Sequence, residues 1–507
     1  GDIFLVWVTA FRTRVFLRNR GGHQQTQDEA KGRQTDRQTD ERKRRVCVRD
    51  KQHMMSMTTT AKIVSVKGRE VLDSRGRPTV ECELEWSDGN GERSGTVRAM
   101  VPSGKSTGGA EAKELRDGDP ARYGGMGCLK AAANISGDLG KALIGMNPAD
   151  QRAIDDKLLS MDTSPGKDKA LIGANAVLAL SMACCRAGAE ALGVPLCRHI
   201  NGLARTAVGG GEVKMCLPVP CLNVINGGVH AGNALAFQEF FLIPSGASSF
   251  AEAMRLGAET YAKLKKVIEA KYGKRDTGVG DEGGFAPNIS SPEEGMSLLM
   301  EAIEGAGHGG KIELGSDPAA SEFYSKEKGA YDLGFKCEEP NVKTAQEMVA
   351  LYQRICGTFP MALLEDPFDE EDFESHAELT KVVGESVEIV GDDLYCTNVG
   401  RVNKGLEAKA TNAMLLKVNQ IGTVSESLDA WALCRKSGWG VFVSHRSGET
   451  EDSFIADLVV GIGAGHIKSG APCRSERLSK YNQLLRIEEE VKGLPYAGKL
   501  FRTPWKL

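Results

Sequence analysis

Short apolar runs, each followed by a charged or polar residue, recur through the second half of the chain. The residues that follow these runs are Asp317, Glu365, Asp392, Lys417, His445 and Lys468. From Glu365 onward they lie about 25 residues apart, the length of one β-strand plus one crossover helix. This spacing predicts a βα barrel, in which the C-terminal strand ends meet at one mouth. We therefore expect these six side chains to face a common cavity.

The 507 residues exceed the size of one average domain, and the sequence changes character along its length. Residues 1–56 contain a repeated Arg-Gln-Thr-Asp tetrapeptide, and we predict an N-terminal extension that is disordered or not native to the protein. Residues 57–205 begin with alternating apolar residues and a turn at 87–91, and an Ala- and Leu-rich stretch at 170–191 follows. They predict an α+β domain with an antiparallel sheet and a helix.

Residues 206–507 are assigned to the barrel, so the predicted fold class is α/β with an α+β domain followed by a TIM-like βα barrel. The best candidate for an internal linker is residues 201–213, because three consecutive glycines occupy 209–211.

Charge and cysteine content exclude several classes of protein. The net charge is −4, but residues 1–56 carry +6, so the remainder is acidic and a nucleic-acid partner is disfavoured. Thirteen cysteines without a Cys-x-x-Cys pair favour a reducing compartment over a disulfide framework or zinc ribbon. The uncharged, Ala- and Leu-rich stretch 170–185 is shorter than the ~20 residues that span a bilayer, so no membrane association is expected. We expect a cytoplasmic location, or an organelle if residues 1–56 are a transit peptide.

The residues at the predicted barrel mouth suggest metal-assisted proton abstraction. Asp317, Glu365 and Asp392 would supply the hard oxygen ligands that suit Mg²⁺. A lysine with a lowered pKa beside such a metal could remove a proton next to a carboxylate. Any one of these residues could instead be a helix cap or a surface charge, but six in strand register favour a site.

The segment Ser-Gly-Lys-Ser-Thr-Gly-Gly at 103–109 resembles the end of a phosphate-binding P-loop. That motif requires a glycine where Ala99 stands, so an ATPase is excluded.

Several longer motifs closely resemble those of the enolase family. They are Gly-Asp-Glu-Gly-Gly-Phe-Ala-Pro-Asn at 280–288, Leu-Glu-Asp-Pro-Phe at 364–368, Leu-Leu-Lys-Val-Asn-Gln-Ile-Gly-Thr at 415–423 and Val-Ser-His-Arg-Ser-Gly-Glu-Thr at 443–450. The resemblance is collinear from about residue 62 to 505. It implies a homodimeric hydro-lyase of glycolysis and gluconeogenesis, which reversibly dehydrates 2-phospho-D-glycerate to phosphoenolpyruvate with two Mg²⁺ per active site.

The resemblance also implies roles for individual residues. Lys417 would be the base that removes the proton from carbon 2, and Glu282 the acid that assists departure of the hydroxyl. The implied metal ligands are Asp317, Glu365 and Asp392 for the first Mg²⁺ and Ser106, in a mobile lid loop, for the second. Further catalytic residues would be His230, Glu239 and His445. The implied substrate-binding residues are Ser106, His230, Glu239, Glu365, Asp392, Arg446, Ser447 and Lys468, with Arg446 and Ser447 on the phosphate and Lys468 on the carboxylate.

Three residues depart from the family's usual pattern near these motifs. Lys105 stands where alanine is common, Arg77 where asparagine is usual, and His466 where glutamine is usual. Two alternatives remain: another enolase-superfamily dehydratase or racemase, and a non-catalytic structural or binding homologue. The Ser-His-Arg-Ser and Gly-Asp-Glu-Gly-Gly strings disfavour the first. The second is disfavoured because the following residues are all present: Lys417, Glu282, Asp317, Glu365 and Asp392.

Overall fold

An antiparallel sheet opens the part of the chain that the computed structural model describes, residues 59–105 and 108–507. Its strands are β1 (Lys62–Leu72), β2 (Pro78–Ser87) and β3 (Ser94–Met100), paired in the order β1-β2-β3. Val80, Cys82 and Leu84 alternate along β2 and are fully buried, so one face of the sheet packs against helices. The predicted sheet is therefore confirmed, while residues 1–56 lie outside the described part.

Five helices follow the sheet, and the first, second and fourth of them pack against it. They are α1 (Leu129–Ser136), α2 (Asp138–Leu143), α3 (Gln151–Ser160), α4 (Ala174–Leu192) and α5 (Leu196–Ala207). The helix expected from the Ala- and Leu-rich stretch is α4, which ends at Gly193 in the left-handed conformation. Helix α5 continues to Ala207, so only the later part of the expected linker is non-helical. The division between residues 205 and 206 stays a prediction.

Eight strands form a closed barrel, which confirms the predicted α/β fold. They are β4 (Val219–Asn226), β5 (Glu239–Ile243), β6 (Glu313–Asp317), β10 (Met361–Glu365), β11 (Glu388–Gly391), β12 (Ala413–Leu416), β13 (Gly440–Ser444) and β14 (His466–Lys468), in that order around the barrel. Three short strands, β7 (Tyr324–Ser325), β8 (Ala330–Asp332) and β9 (Val342–Lys343), form a small separate sheet after β6.

Helices surround the barrel strands. They are α6 (Phe250–Tyr272), α7 (Pro292–Gly305), α8 (Ala345–Thr358), α9 (Phe373–Val383), α10 (Val399–Ala408), α11 (Val418–Ile421), α12 (Val424–Lys436), α13 (Phe454–Gly461) and α14 (Ser475–Glu490). Among the described residues no single helix is long and apolar enough to cross a membrane, although the bent pair α4 and α5 passes by length and composition.

Strand β5 runs antiparallel to both of its neighbours, unlike the other barrel strands. Its first residue, Glu239, pairs in register with Asp317, the last residue of β6. The start of β5 therefore lies at the same mouth as the ends of the parallel strands. The spacing of apolar runs predicted strands but not this reversal, because a buried strand has the same apolar pattern in either direction.

A bidentate ion pair fastens the N-terminal sheet to the barrel. Arg186 of α4 donates to the two carboxylate oxygens of Asp452 at 2.7 and 2.9 Å, and to the carbonyl of Arg98 in β3 at 2.6 Å. Asp452 precedes α13 and also accepts from the backbone N–H of Met100. Burial acts to raise the pKa of Asp452, but the Arg186 guanidinium outweighs it and lowers the pKa below its usual range.

We predict that Arg186→Ala destabilises the protein by about 3 kcal/mol at neutral pH, because it leaves a buried carboxylate without its partner. Urea denaturation at neutral pH measures the loss. Since Asp452 has a lowered pKa in the folded state, the ion pair stabilises the folded protein at pH values above the ordinary aspartate pKa. The difference between wild type and variant should shrink as the pH falls below it.

The matched control is Arg152→Ala, which breaks a bidentate pair with Asp429 whose side chains are 48% and 42% exposed. It should cost less than about 1 kcal/mol. Equal losses in the two variants would contradict the fastening role of Arg186.

Candidate active site

A cavity at the barrel mouth brings together most of the residues predicted from the sequence. It is lined by His230, Gln238, Glu239, Glu282, Asp317, Ala319, Asp366, Asp392, Asp393, Lys417, Ser444, His445, Arg446, Ser447 and Lys468. Five of the six residues predicted at strand ends are in this lining. The sixth, Glu365, is fully buried and contacts Lys468. Ser106 lies outside the described residues.

The ammonium group of Lys468, the last residue of β14, lies among three carboxylates. It donates to Glu365 at 2.6 Å, to Asp317 at 3.3 Å and to Glu239 at 3.4 Å. Although burial acts to lower the pKa of Lys468, these carboxylates raise it well above its usual range. Lys468 is therefore a permanent cation that offsets the cost of burying its acidic neighbours.

Lys417 follows β12 and forms a close ion pair with Asp392, which follows β11. Gln420 donates to the other oxygen of Asp392 at 2.8 Å. Burial is the largest single influence and acts to lower the pKa of Lys417, but the neighbouring carboxylates, Asp392 foremost, together raise it above its usual value. The lowered lysine pKa expected beside a bound metal stays a prediction. The sequence did not indicate that Asp392 touches the amine.

Glu239, Glu282 and His230 meet on another side of the cavity. Each offers one ligand atom, and these atoms lie within 4.8 Å of one another. Burial and the neighbouring charge of Glu282 raise the pKa of Glu239 well above its usual range. Burial acts in the same direction on Glu282, but the facing imidazoles of His445 and His230 bring its pKa well below its usual range. These opposite shifts favour the protonated carboxyl at Glu239 and the carboxylate at Glu282.

Two glycines place Glu282 in this cavity. Gly283 has a φ of +85°, which a residue with a side chain adopts only with strain. A Cβ on Gly284 would lie 2.4 Å from Asn226 Oδ1. The Asp-Glu-Gly-Gly motif can therefore turn tightly against β4, where Asn223 donates to the Glu282 carboxylate at 2.9 Å.

An arginine fixes the tautomer of His445. Arg477 NH1 lies 2.6 Å from His445 Nδ1 and also donates to the carbonyl of Arg446 at 2.6 Å. Since arginine can only donate, Nδ1 is the acceptor and Nε2 carries the proton. Nε2 faces Glu282 at 3.6 Å. Burial lowers the pKa of His445 well below its usual range, so it faces that carboxylate as a neutral imidazole, at a distance beyond that of a hydrogen bond.

The guanidinium of Arg446 is held by Glu111, a residue that the sequence did not indicate. The two oxygens of Glu111 accept from NH1 and NH2 of Arg446 at 3.0 and 3.1 Å. Glu111 also accepts from the backbone N–H of Gly108 at 3.2 Å. It could not be found from spacing, since 335 residues separate the partners.

The acidic groups can be tested as ligands for a cation. Glu365 Oε2 is buried and has no hydrogen-bond partner among the described residues. Carboxylate oxygens of this kind suit a hard divalent ion. Within the described residues, the groups whose ligand atoms converge are the Glu239 cluster above and Asp366 with Asp392 and Asp393. In the predicted set, Asp317 and Glu365 contact Lys468 while Asp392 contacts Lys417, and their joint role as ligands stays a prediction.

The three departures from the family pattern lie in different surroundings. Lys105 donates to the carbonyl of Val229 at 2.9 Å, directly beside His230. His466 is fully buried, stacks on Phe442 with ring centroids 4.4 Å apart, and lies 2.8 Å from a Glu388 oxygen. Arg77 donates only its backbone N–H, to Asp73.

The fold and this cavity define a barrel enzyme whose mouth combines buried carboxylates with lysines and two buried histidines, His230 and His445. The model of the enolase N-terminal domain matches residues 63–200, and that of the enolase C-terminal TIM barrel domain matches residues 214–505. The chain belongs to the enolase family.

Curated relatives agree with this assignment. The enolase of Eimeria tenella is 54% identical over 450 residues, which cover 87% of this chain and 99% of that protein. Enolase 2 of Hevea brasiliensis is 53% identical over 450 residues, covering 87% and 98%. The family and the hydro-lyase class expected from the sequence are confirmed, and the alternatives are not favoured.

We predict that Glu239→Gln stabilises the protein at neutral pH, because the folded state favours the uncharged carboxyl at this position. Its raised pKa means that wild type loses stability as the pH rises above the ordinary glutamate pKa, whereas the amide has no charge to bury. Urea denaturation should show that the variant gains of the order of 1 kcal/mol in free energy of unfolding at pH 8 and gains nothing at pH 4. The control, Glu378→Gln, changes an exposed carboxylate on α9. A variant less stable than wild type at high pH would contradict the assignment of the proton to Glu239.

Proposed function

We propose that this chain catalyses the reversible dehydration of 2-phospho-D-glycerate to phosphoenolpyruvate, the enolase step of glycolysis and gluconeogenesis. The observation that carries the proposal is that Lys417 and the pair Glu239 and Glu282 line one buried cavity. Removing a proton from one carbon and a hydroxyl from the next requires a base and an acid around the same substrate.

Lys417 is the base in this proposal. It takes the proton from carbon 2 as a neutral amine, and the electrons of the C–H bond form the new double bond to carbon 3. A neutral amine requires that the charge of Asp392 be offset by another cation, because burial, the largest single influence, then lowers the pKa of Lys417.

Glu282 is proposed as the acid that protonates the departing hydroxyl, which leaves as water. Because the pKa shifts favour the proton on Glu239, Glu282 would first receive it from Glu239, whose carboxyl group lies within 4.8 Å, and would then pass it to the hydroxyl. His445 presents its Nε2–H to Glu282 from 3.6 Å, and the dipole of this group would favour the carboxylate that remains after the proton has been given up. His230 faces the same pair from 3.8 and 3.9 Å.

The cations at the mouth are proposed to hold the two anionic ends of the substrate. Arg446 and Ser447 would bind the phosphate, with the guanidinium oriented by Glu111. Lys468 would pair with the substrate carboxylate, while Glu365 and Asp392 would contact the substrate beside it. A cavity lined by fixed cations and carboxylates favours a small phosphorylated acid over an uncharged substrate.

Asp317, Glu365 and Asp392 are proposed to hold Mg²⁺, and the buried Glu365 oxygen without a partner supports this. The bound ion would stabilise the negative charge that develops on the substrate carboxylate. A second Mg²⁺ with Ser106 as a ligand completes the proposal.

Family membership also supports a homodimer, which sedimentation velocity would test through a mass twice that of the 54.4 kDa chain. A cytoplasmic location is proposed likewise, and fractionation of the source cells would test it. The partner in catalysis is a small molecule, without nucleic acid or membrane.

The proposed reaction is tested by adding 2-phosphoglycerate to the full chain and following the ultraviolet absorbance of the enol product. We expect turnover with Mg²⁺ and none after the metal is removed with a chelator, with recovery when Mg²⁺ is restored. Folded protein that shows no Mg²⁺-dependent turnover would refute the enolase activity.

Lys417→Ala should reduce turnover by at least about a hundredfold, because a positioned base contributes roughly that much or more. Calorimetric titration with Mg²⁺ should still show binding, since the metal-binding carboxylates are retained. The matched control is Lys265→Ala, on the exposed side of α6. If Lys417→Ala retained wild-type turnover, another residue would be the base.

A further inference from the structure

Lys105 reaches the two segments that carry His230 and Glu282. Its ammonium donates to the carbonyl of Val229 at 2.9 Å and lies 3.9 Å from a carboxylate oxygen of Asp281. Val229 directly precedes His230, and Asp281 directly precedes Glu282. One cation thus connects the start of the 103–109 segment with both sides of the proposed acid site.

The ring of His230 has no hydrogen bond of its own to hold it. Both ring nitrogens are buried and lack a hydrogen-bond partner among the described residues. The ring faces Glu282 and Glu239 at 3.8 and 3.9 Å, which is too long for a hydrogen bond. Its position is therefore set by packing and by the backbone of the turn Gly228–His230.

Ammonium groups hold that turn at its carbonyl oxygens. Lys336 donates to the carbonyls of Gly228 at 2.6 Å and Ala231 at 2.8 Å. Lys105 donates to the carbonyl between them, that of Val229. Hydrogen bonds from a charged donor are about twice as strong as neutral ones, so these contacts restrain the turn. The alanine common at position 105 in the family has no group that could reach Val229.

The ion pair of Lys105 with Asp281 is the weaker contact. Both side chains are 36% exposed, and solvent screens a pair of this kind. The carbonyl contact carries the argument, because its geometry fixes a backbone atom next to the ring. The charge of Lys105 also acts, after burial, to lower the pKa of His230, which agrees with its closeness to the ring.

We propose that Lys105 is a positioning residue of this chain, which holds the turn Gly228–His230 and thereby aligns His230 with the carboxyl pair. It acts through His230 and does not touch the reacting atoms. This role rests on the proposed enolase reaction for its effect on rate, while its effect on the turn can be measured without substrate.

The first experiment measures hydrogen exchange of the full chain without substrate, followed on peptides that cover residues 226–234. Lys105→Ala should increase exchange in these peptides, and Lys105→Arg should restore protection because arginine can reach the same carbonyl. Lys265→Ala is the control and should leave them unchanged. Unaltered exchange in Lys105→Ala would overturn the proposal whether or not the protein is an enolase.

The second experiment measures turnover of 2-phosphoglycerate. Lys105→Ala should lower kcat about tenfold, the lower end of the effect of one charge-assisted hydrogen bond, with KM changed less than about twofold. In a His230→Ala background the same substitution should cause no further loss. A raised KM with unchanged kcat would overturn the proposal, because Lys105 would then attract the anionic substrate instead. If the wild-type protein were inactive but hydrogen exchange changed as expected, the proposed reaction would be refuted and the effect of Lys105 on the turn would stand.

Discussion

The site depends on the balance of charge buried at the barrel mouth. Glu239, Asp317 and Glu365 leave water there, and each would be costly to bury without a partner. Lys468 lies among all three, and Lys417 offsets Asp392 in the same way. A barrel that ends its strands in acids can fold only if other strands end in cations, so the same ion pairs that serve folding also shape the proposed chemistry.

This balance of charge also affects the protonation of the carboxyl groups in the cavity. The Glu239 and Glu282 pair holds a proton because two charged carboxylates cannot both be buried so close together. His445 is kept neutral and oriented by Arg477 from α14, whereas His230 is held through its own backbone turn. Both histidines face Glu282, but a side chain orients His445 whereas only a backbone turn holds His230. Lys105 contacts that turn at Val229.

The order of apolar runs predicted the barrel well, and the polar residues after them were correctly placed at the mouth. This succeeded because strand length and crossover length are local properties that repeat along the chain. The reversed strand β5 was not predicted, although it brings Glu239 into the site. Glu111 was missed for a related reason: its bond to Arg446 joins segments 335 residues apart and leaves no local pattern.

By itself, the sequence determined the fold class, the family and the set of chemical groups at the mouth, because those follow from periodicity and from motifs several residues long. Only the tertiary structure decided which groups touch. Asp392 pairs with Lys417 and acts to raise its pKa, and Lys105 donates to the carbonyl of Val229, a contact that no motif indicated. Both depend on distances of a few ångströms between remote segments, and electrostatic energies vary steeply over such distances.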